Sequence, residues 1–250
     1  MQKINLFEMT RPEVEEAIAS GVDTVIITIG STEQHGLHLP LGTDAIMGEA
    51  LGQRVARALG DTLLAPGMRI GCSEHHMDFA GSLTLSRETF IGVVGDICRS
   101  LARHGFRHIV LLPTHGGNFA PLAKAVEAIR PELSGVNLIA FTDLMAFMDE
   151  IFQTGKARKV TPEQAGAHAG EFETSIMLYL RPDLVAIDKA QPGYVGDQLR
   201  IAPLVFEKGF RAVTANGVLG DPRNASAANG EAYMAAITDL LVGYINKARA

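Results

Sequence analysis

The sequence predicts an α/β fold, a single domain over residues 1–250 with a mainly parallel central sheet flanked by helices. Two observations carry this: short β-branched apolar runs alternate with longer segments of helical spacing, and polar, glycine-bearing loops follow the runs. A length of 250 residues suits one large α/β domain. With 47% hydrophobic and 20% charged residues, the chain can bury a sizeable core and has little scope for disorder.

The first run, Asp23 to Ile29 (DTVIITI), stops at Gly30 and Ser31 and reads as a buried strand of a parallel sheet. Ala45 to Leu59 has helical spacing through Ile46, Leu51, Val55 and Leu59, and ends at Gly60. Thr62 to Ala65 is a second strand, followed by a long loop carrying Gly71 to Ser82 and a helix for which Ser86 is the expected N-cap. Ile91, Val94, Cys98 and Leu101 make the inward stripe of that helix. His108 to Leu112 is the third strand, then come the turn THGGN and a helix from about Ala120 to Arg130 that Pro131 closes. Val136 to Phe141 supplies the fourth strand. Thr154 to Ala165 reads as polar and irregular, a lid or a subunit contact. His168 to Leu180 regains helical spacing until Pro182, Pro192 to Arg211 has no assignable pattern, and residues 225–248 form a last amphipathic helix capped by Asn224 or Ser226.

Composition narrows the function classes. The net charge is −6 and the basic residues are scattered, which disfavours nucleic-acid binding. The N-terminal stretch MQKINLFEMTRPEVEEAI has no signal-peptide pattern, and no apolar run reaches the roughly 20 residues of a membrane span. A cytoplasmic protein with no membrane contact is the expectation. Cys72 and Cys98 stand outside any CxxC or zinc-ribbon spacing and are expected to be reduced thiols.

The histidines say more. In GSTEQHGLHLPLGTDA, Glu33 and His35 are two apart in an extended stretch, so both project to one side, while Asp44 opens the next helix as an N-cap or as a third polar group at the same point. A solvated loop with a cap is the plain alternative. THGGNF places His115 at the mouth of the third strand, with Gly116 and Gly117 allowing close approach and Asn118 able to bond a substrate or its own turn. HAGEFETS puts His168 and Glu171 at i, i+3 on one face of a helix, with Glu173 on another face; Glu171 or Glu173 could be a ligand, but not both from that face. Surface charges favoured by the helix dipole are the alternative there. In parallel sheets ligands bind beyond the carboxyl ends of the strands, so these groups should converge at that edge. Mixed imidazole and carboxylate donors suit zinc or manganese better than calcium, and five or six of them suit two ions better than one.

EQHGLHLPLGTD, GCSEHHMDFAGSLTLS, LLPTHGGN, HAGEFETS and GVLGDPRNAS, in this order over nearly the whole chain, resemble the creatininase (creatinine amidohydrolase) family. The resemblance implies a creatininase-like fold, two divalent metal ions per chain (zinc or manganese, with iron as a further option), hydrolysis of an amide C–N bond and a homo-oligomer, often a hexamer. It implies Glu33, His35, Asp44 and His115 as metal ligands, with Asp44 bridging, and His168 as the catalytic histidine. Creatininase has a glutamate two residues after the histidine matching His115, where this chain has Gly117, so Glu171 is the expected replacement ligand. The chain has no tryptophan, whereas creatininase closes its pocket with tryptophans, which weakens creatinine as the substrate. The expectation is an amidohydrolase acting on a non-peptide C–N bond of a small-molecule amide. A creatininase-like peptidase or formamide hydrolase, or a non-catalytic metal-binding or ligand-binding member of the fold, is the alternative. Substrate contacts are expected from Ser73, His75, His76, Asp78, Gly116, Gly117 and Asn118.

Overall fold

The computed structural model describes residues 3–250. The chain runs α1 (Arg11–Ala19), β1 (Thr24–Ile29), α2 (Thr43–Leu59), β2 (Thr62–Leu64), α3 (Arg87–Arg103), β3 (His108–Pro113), α4 (Phe119–Ile129) and β4 (Asn137–Ala140). It continues through α5 (Leu144–Ala157), α6 (Pro162–Ala165), α7 (Glu171–Leu180), α8 (Gln198–Lys208) and α9 (Ala227–Arg249). The strands form one parallel sheet in the order β2-β1-β3-β4, with Thr24 in register with Thr62 and His108, and His108 with Asn137. Because all four strands point the same way, the loops after β1 and β3 leave from one edge.

Alternation along the strands separates two cores. Val25, Ile27, Ile29, Ile109 and Leu111 pack with Phe90 and Val94 of α3 and Leu122 of α4. On the other face Ile26, Val110, Leu112 and Ile139 pack with Leu51 of α2, Ile151 of α5, Ile176 of α7 and Tyr233 of α9. A sheet covered on both faces buries every strand position, which is why DTVIITI is a mainly apolar, β-branched run without polar alternation.

The four expected strands are present within a residue or so at each end, and the caps are as expected: Ser86 accepts from the Thr89 N–H and Ser226 from the Asn229 N–H. Two segments differ. Thr154 to Ala165 is not irregular: α5 runs on to Ala157, and Thr161 and Gln164 form a capping box that starts α6 at Pro162. Pro192 to Arg211 contains α8, capped by Asp197 and ended by Gly209 at φ 78°. Pro203 lies inside α8 and cannot supply an N–H to the helical ladder, which masks the helix in the sequence. No helix of the described residues is long and apolar enough to cross a membrane.

The exit of β1 is packed backbone to backbone against the start of α2. A Cβ on Gly30 would stand 2.7 Å from both the N and Cα of Ala45 and 2.9 Å from the carbonyl carbon of Asp44. Backbone atoms cannot step aside as a side-chain tip can. Gly30→Ala should therefore displace the first turn of α2 and cost about 1–3 kcal/mol, or roughly 2–4 °C in Tm per kcal/mol. Thermal denaturation checks this, and an unchanged Tm would remove the close-approach argument.

Candidate metal centre

Beyond the sheet edge, Glu33, His35, Asp44, His115, His168 and Glu173 converge, none more than 5% exposed. Ligand-capable atoms of Glu33, His35 and Asp44 lie within 4.8 Å of one another, as do those of His35, His168 and Glu173. Glu33 and His35 come from the loop after β1, Asp44 from the first turn of α2, His115 from the residue pair after β3, and Glu173 from the first turn of α7. The helix positions matter, because backbone N–H groups there favour a carboxylate. Glu173 accepts the Ala169 N–H.

Backbone carbonyls set the imidazole tautomers. His35 donates through Nδ1 to the Glu33 carbonyl at 3.1 Å, leaving Nε2 facing Asp44 Oδ1 at 3.2 Å and Glu173 Oε2 at 3.7 Å. His115 donates through Nε2 to the Cys72 carbonyl at 3.2 Å, leaving Nδ1 at 3.1 Å from Glu33 Oε1 and 3.3 Å from Asp44 Oδ2. In their neutral forms these rings aim bare lone pairs at carboxylate oxygens. Glu33 Oε1 and Oε2 and Asp44 Oδ2 are buried and accept no hydrogen bond from any described residue. Acceptors facing acceptors in a dry site repel unless positive charge lies between them. Ligands held about 2.05 Å from a tetrahedral ion stand roughly 3.3 Å apart, the spacing seen here.

Without a cation, protons must take that role. Burial opposes charge on His35, but the Asp44, Glu173 and Glu33 carboxylates outweigh it and push its pKa up to about 10. His115 is likewise raised against burial, by Glu33 and Asp44. Burial pushes Glu173 up to about 7, against the pull of His35. The other rings go the opposite way: burial and neighbouring imidazoles hold His76 and His168 well below the usual histidine value and His75 at about 3. The division marks His35 and His115 as the rings that face the negative charge. Three carboxylates and two neutral imidazoles are a donor set that fits two divalent cations, with ordinary zinc or manganese chemistry.

Two further residues order the site. Gln34 donates through Nε2 to His76 Nδ1 at 3.1 Å and to the Gly217 carbonyl at 3.1 Å, and its backbone carbonyl accepts from His168 Nε2 at 2.6 Å. His168 therefore presents Nδ1, 3.8 Å from Glu33 Oε1. His76, with Nδ1 occupied, places Nε2 3.2 Å from Glu33 Oε1 without hydrogen-bonding it. His38 hydrogen-bonds Thr174 Oγ1 through Nε2 at 2.8 Å and ties the same loop to α7. Neither Gln34 nor His38 stands out in the sequence as a site residue, although both lie inside the EQHGLH motif.

Several expectations need correction. Glu171 is not in the cluster: it accepts from Ser175 Oγ, Asn229 Nδ2 and Tyr233 Oη, each at 2.7 Å, and so binds α7 to α9. Glu173 occupies the place expected for it. The physical reason is that α7 begins at Glu171, not His168: the chain turns through Ala169 at φ 49°, so the i, i+3 relation does not apply, and residues two apart in the first turn point to opposite sides. Asn118 is consumed structurally, accepting from the Cys72 N–H and donating to the Ile29 and Gly30 carbonyls. Ser73 pairs with Ser31 behind His115, and Asp78 is exposed outside the cavity. His75, His76, Gly116 and Gly117 do line a cavity of about 150 Å³ that opens from the cluster. Gly117 also packs tightly, since a Cβ there would meet the Cys72 carbonyl and His115 Nε2 at 2.4 Å.

The two glutamates are separable by experiment. Glu173→Gln should lower bound metal per chain, measured by elemental analysis. Glu171→Gln should keep the metal and cost about 2 kcal/mol of stability through loss of a charged hydrogen-bond acceptor. Equal metal loss in both variants would overturn this assignment.

The sequence profile of the creatininase family, described as creatinine amidohydrolase, matches residues 7–245. A mycofactocin precursor peptide peptidase from Mycobacterium ulcerans (strain Agy99) is 33% identical over 89% of this chain and 84% of its own length. A creatinine amidohydrolase from Pseudomonas putida is 32% identical over 73% of this chain and 74% of its own. A solved mutant creatininase described as Zn–Zn type superposes with a TM-score of 0.82 at 27% identity, covering 99% of this chain and 98% of that one. A creatininase described with Mn gives 0.81 at 27% identity over 98% of each. The peptidase relatives correct the expectation of a strictly non-peptide C–N bond, because relatives matching most of the chain act on a peptide. Profile, relatives and architecture agree that the chain belongs to the creatininase family.

Proposed function

We propose that this chain is a metal-dependent peptidase, hydrolysing a peptide C–N bond with two divalent metal ions held by Glu33, His35, Asp44, His115 and Glu173. The observation that carries the reading is the cluster of buried carboxylate oxygens without protein donors, opposed by imidazole lone pairs at about ligand-to-ligand spacing. The likeness to mycofactocin precursor peptide peptidases supports a peptide as the substrate.

When bound, the two ions supply Lewis acidity and a water acidic enough to ionise near neutral pH. The chain's own residues supply the rest. The Glu33, Cys72 and Gln34 carbonyls hold the three imidazoles in fixed tautomers, so that no reorientation is needed during turnover. His168 turns Nδ1 inward and can hold a proton there and deliver it to the leaving nitrogen, which departs as an amine while the acyl carbon becomes a carboxylate with consumption of one water. Gln34 fixes that ring by accepting from Nε2, and the His76 ring packs beside Glu33 and limits its movement.

The test is cleavage of a panel of short peptides, cyclic amides and formamides by protein loaded with zinc or manganese. Peptide cleavage is expected, lost on chelation and reduced about a hundredfold or more by His168→Asn with bound metal retained. Turnover confined to cyclic amides or formamides, or unchanged by His168→Asn, would overturn the reading.

A further inference from the structure

One wall of the cavity beside the cluster plays no part in holding metal. It is built by Met145, Met148 and Phe152 from α5 and by Ala202, Val205 and Phe206 from α8. The charged groups on the cavity's lining belong to the metal cluster; among the described residues no lysine or arginine lines it. A charged substrate side chain entering there would lose water without finding a countercharge. An apolar one would gain burial.

We propose that this cavity is a side-chain subsite, taking one branched aliphatic or single-ring aromatic residue next to the scissile bond; the proposal rests on the peptidase reading above. Size supports it. The volume is about 150 Å³, close to that of an apolar cavity known to hold one benzene ring. The subsite adjoins the reacting centre, since Asp44, His115, His168 and Glu173 line the same cavity. Phe206 and Phe210 connect the two halves, their ring centroids lying 4.8 Å from that of His75 and 4.1 Å from that of His76. Thioethers at Met145 and Met148 let the wall adjust to more than one apolar shape. Gln198, on the same lining, donates through Nε2 to the Gly196 carbonyl, while its buried Oε1 accepts nothing from any described residue. That oxygen is available to a substrate backbone N–H, which would set the register of the chain whose side chain fills the cavity.

Two measurements test this. The first follows peptides that differ only in the residue on one side or the other of the scissile bond, set to Gly, Leu, Phe, Trp, Asp or Lys. At one of these positions, kcat/KM for Leu or Phe should exceed that for Gly by about ten- to a hundredfold. Ala202→Leu, which fills the cavity, should reduce that ratio about tenfold, and Phe206→Ala, which opens its mouth, should shift preference toward Trp. The second is calorimetric binding of N-acetylphenylalaninamide and N-acetylglycinamide to the metal-loaded protein. The phenyl compound should bind at least about tenfold more tightly, and Ala202→Leu should abolish the difference.

Peptides cut without side-chain preference, or a preference that neither folded variant alters, would overturn the subsite and leave the peptidase reading standing. No peptide cut, with the phenyl amide bound selectively and Ala202→Leu removing that selectivity, would sink the peptidase reading and keep the cavity as an apolar ligand site. Should Ala202→Leu fail to fold, Phe206→Ala decides, because that ring is 55% exposed and carries less of the packing.

Discussion

The structure is organised around an electrostatic imbalance that its own side chains do not relieve. Glu33, Asp44 and Glu173 place three carboxylates in a region closed to water, and the nearest imidazole nitrogens are turned toward them with their N–H groups committed elsewhere. Desolvated carboxylates without donors are among the most expensive groups a fold can carry. Cation binding to the folded chain turns that cost into a contribution to stability, so metal loading and folding are linked. The high proton affinity of His35 and His115 expresses the same imbalance when only protons are at hand.

Holding such a cluster requires supports at some distance from it. Asn118 joins the loop after β2 to the exit of β1 through the Cys72 N–H and the Ile29 and Gly30 carbonyls, and so fixes the Cys72 carbonyl that orients His115. Thr114 Oγ1 donates to the Asp44 carbonyl at 2.8 Å, locking the end of β3 onto the start of α2. Leu219, from the GVLGDPRNAS segment, exchanges backbone hydrogen bonds with His168 and holds the turn at Ala169. The start of α7 is held from both sides, by Glu171 against α9 and by the His38–Thr174 pair against the loop after β1. These supports are polar groups engaged in bonds to the scaffold, which explains why residues that look functional in sequence, such as Asn118 and Glu171, are structural in space.

How much of this was legible in the sequence follows from the kind of signal each part leaves. A buried parallel strand demands unbroken β-branched apolar residues, so β1 and β3 are plain, and the polar groups placed just after them are plain with them. Glu33, His35, Asp44 and His115 were accessible by that route. Glu173 could not be told from Glu171 by spacing, because the choice depends on a left-handed turn at an alanine, a residue type with no preference for that conformation. Had the helix begun at His168, Glu171 would have shared a face with that ring. Gln34 was hidden for another reason: an amide that positions two histidines cannot be told from a solvated loop residue until its partners from other segments are in view.

The wall formed by α5 and α8 shows why chemistry is easier to read than specificity. The reaction depends on a few polar groups whose burial is improbable unless they bind something, so each is conspicuous. The cavity beside them is walled by Met148, Phe152, Val205 and Phe210, residue types that any core requires. In sequence they are indistinguishable from packing, and α8 is further obscured by Pro203 at its centre. Within one architecture the sheet edge can therefore keep its metal ligands while the two helices above it change what fits. This chain, without tryptophan, carries aliphatic, thioether and phenyl groups there, and in the subsite proposed above their shape would determine which acyl or amine neighbour comes within reach of His168.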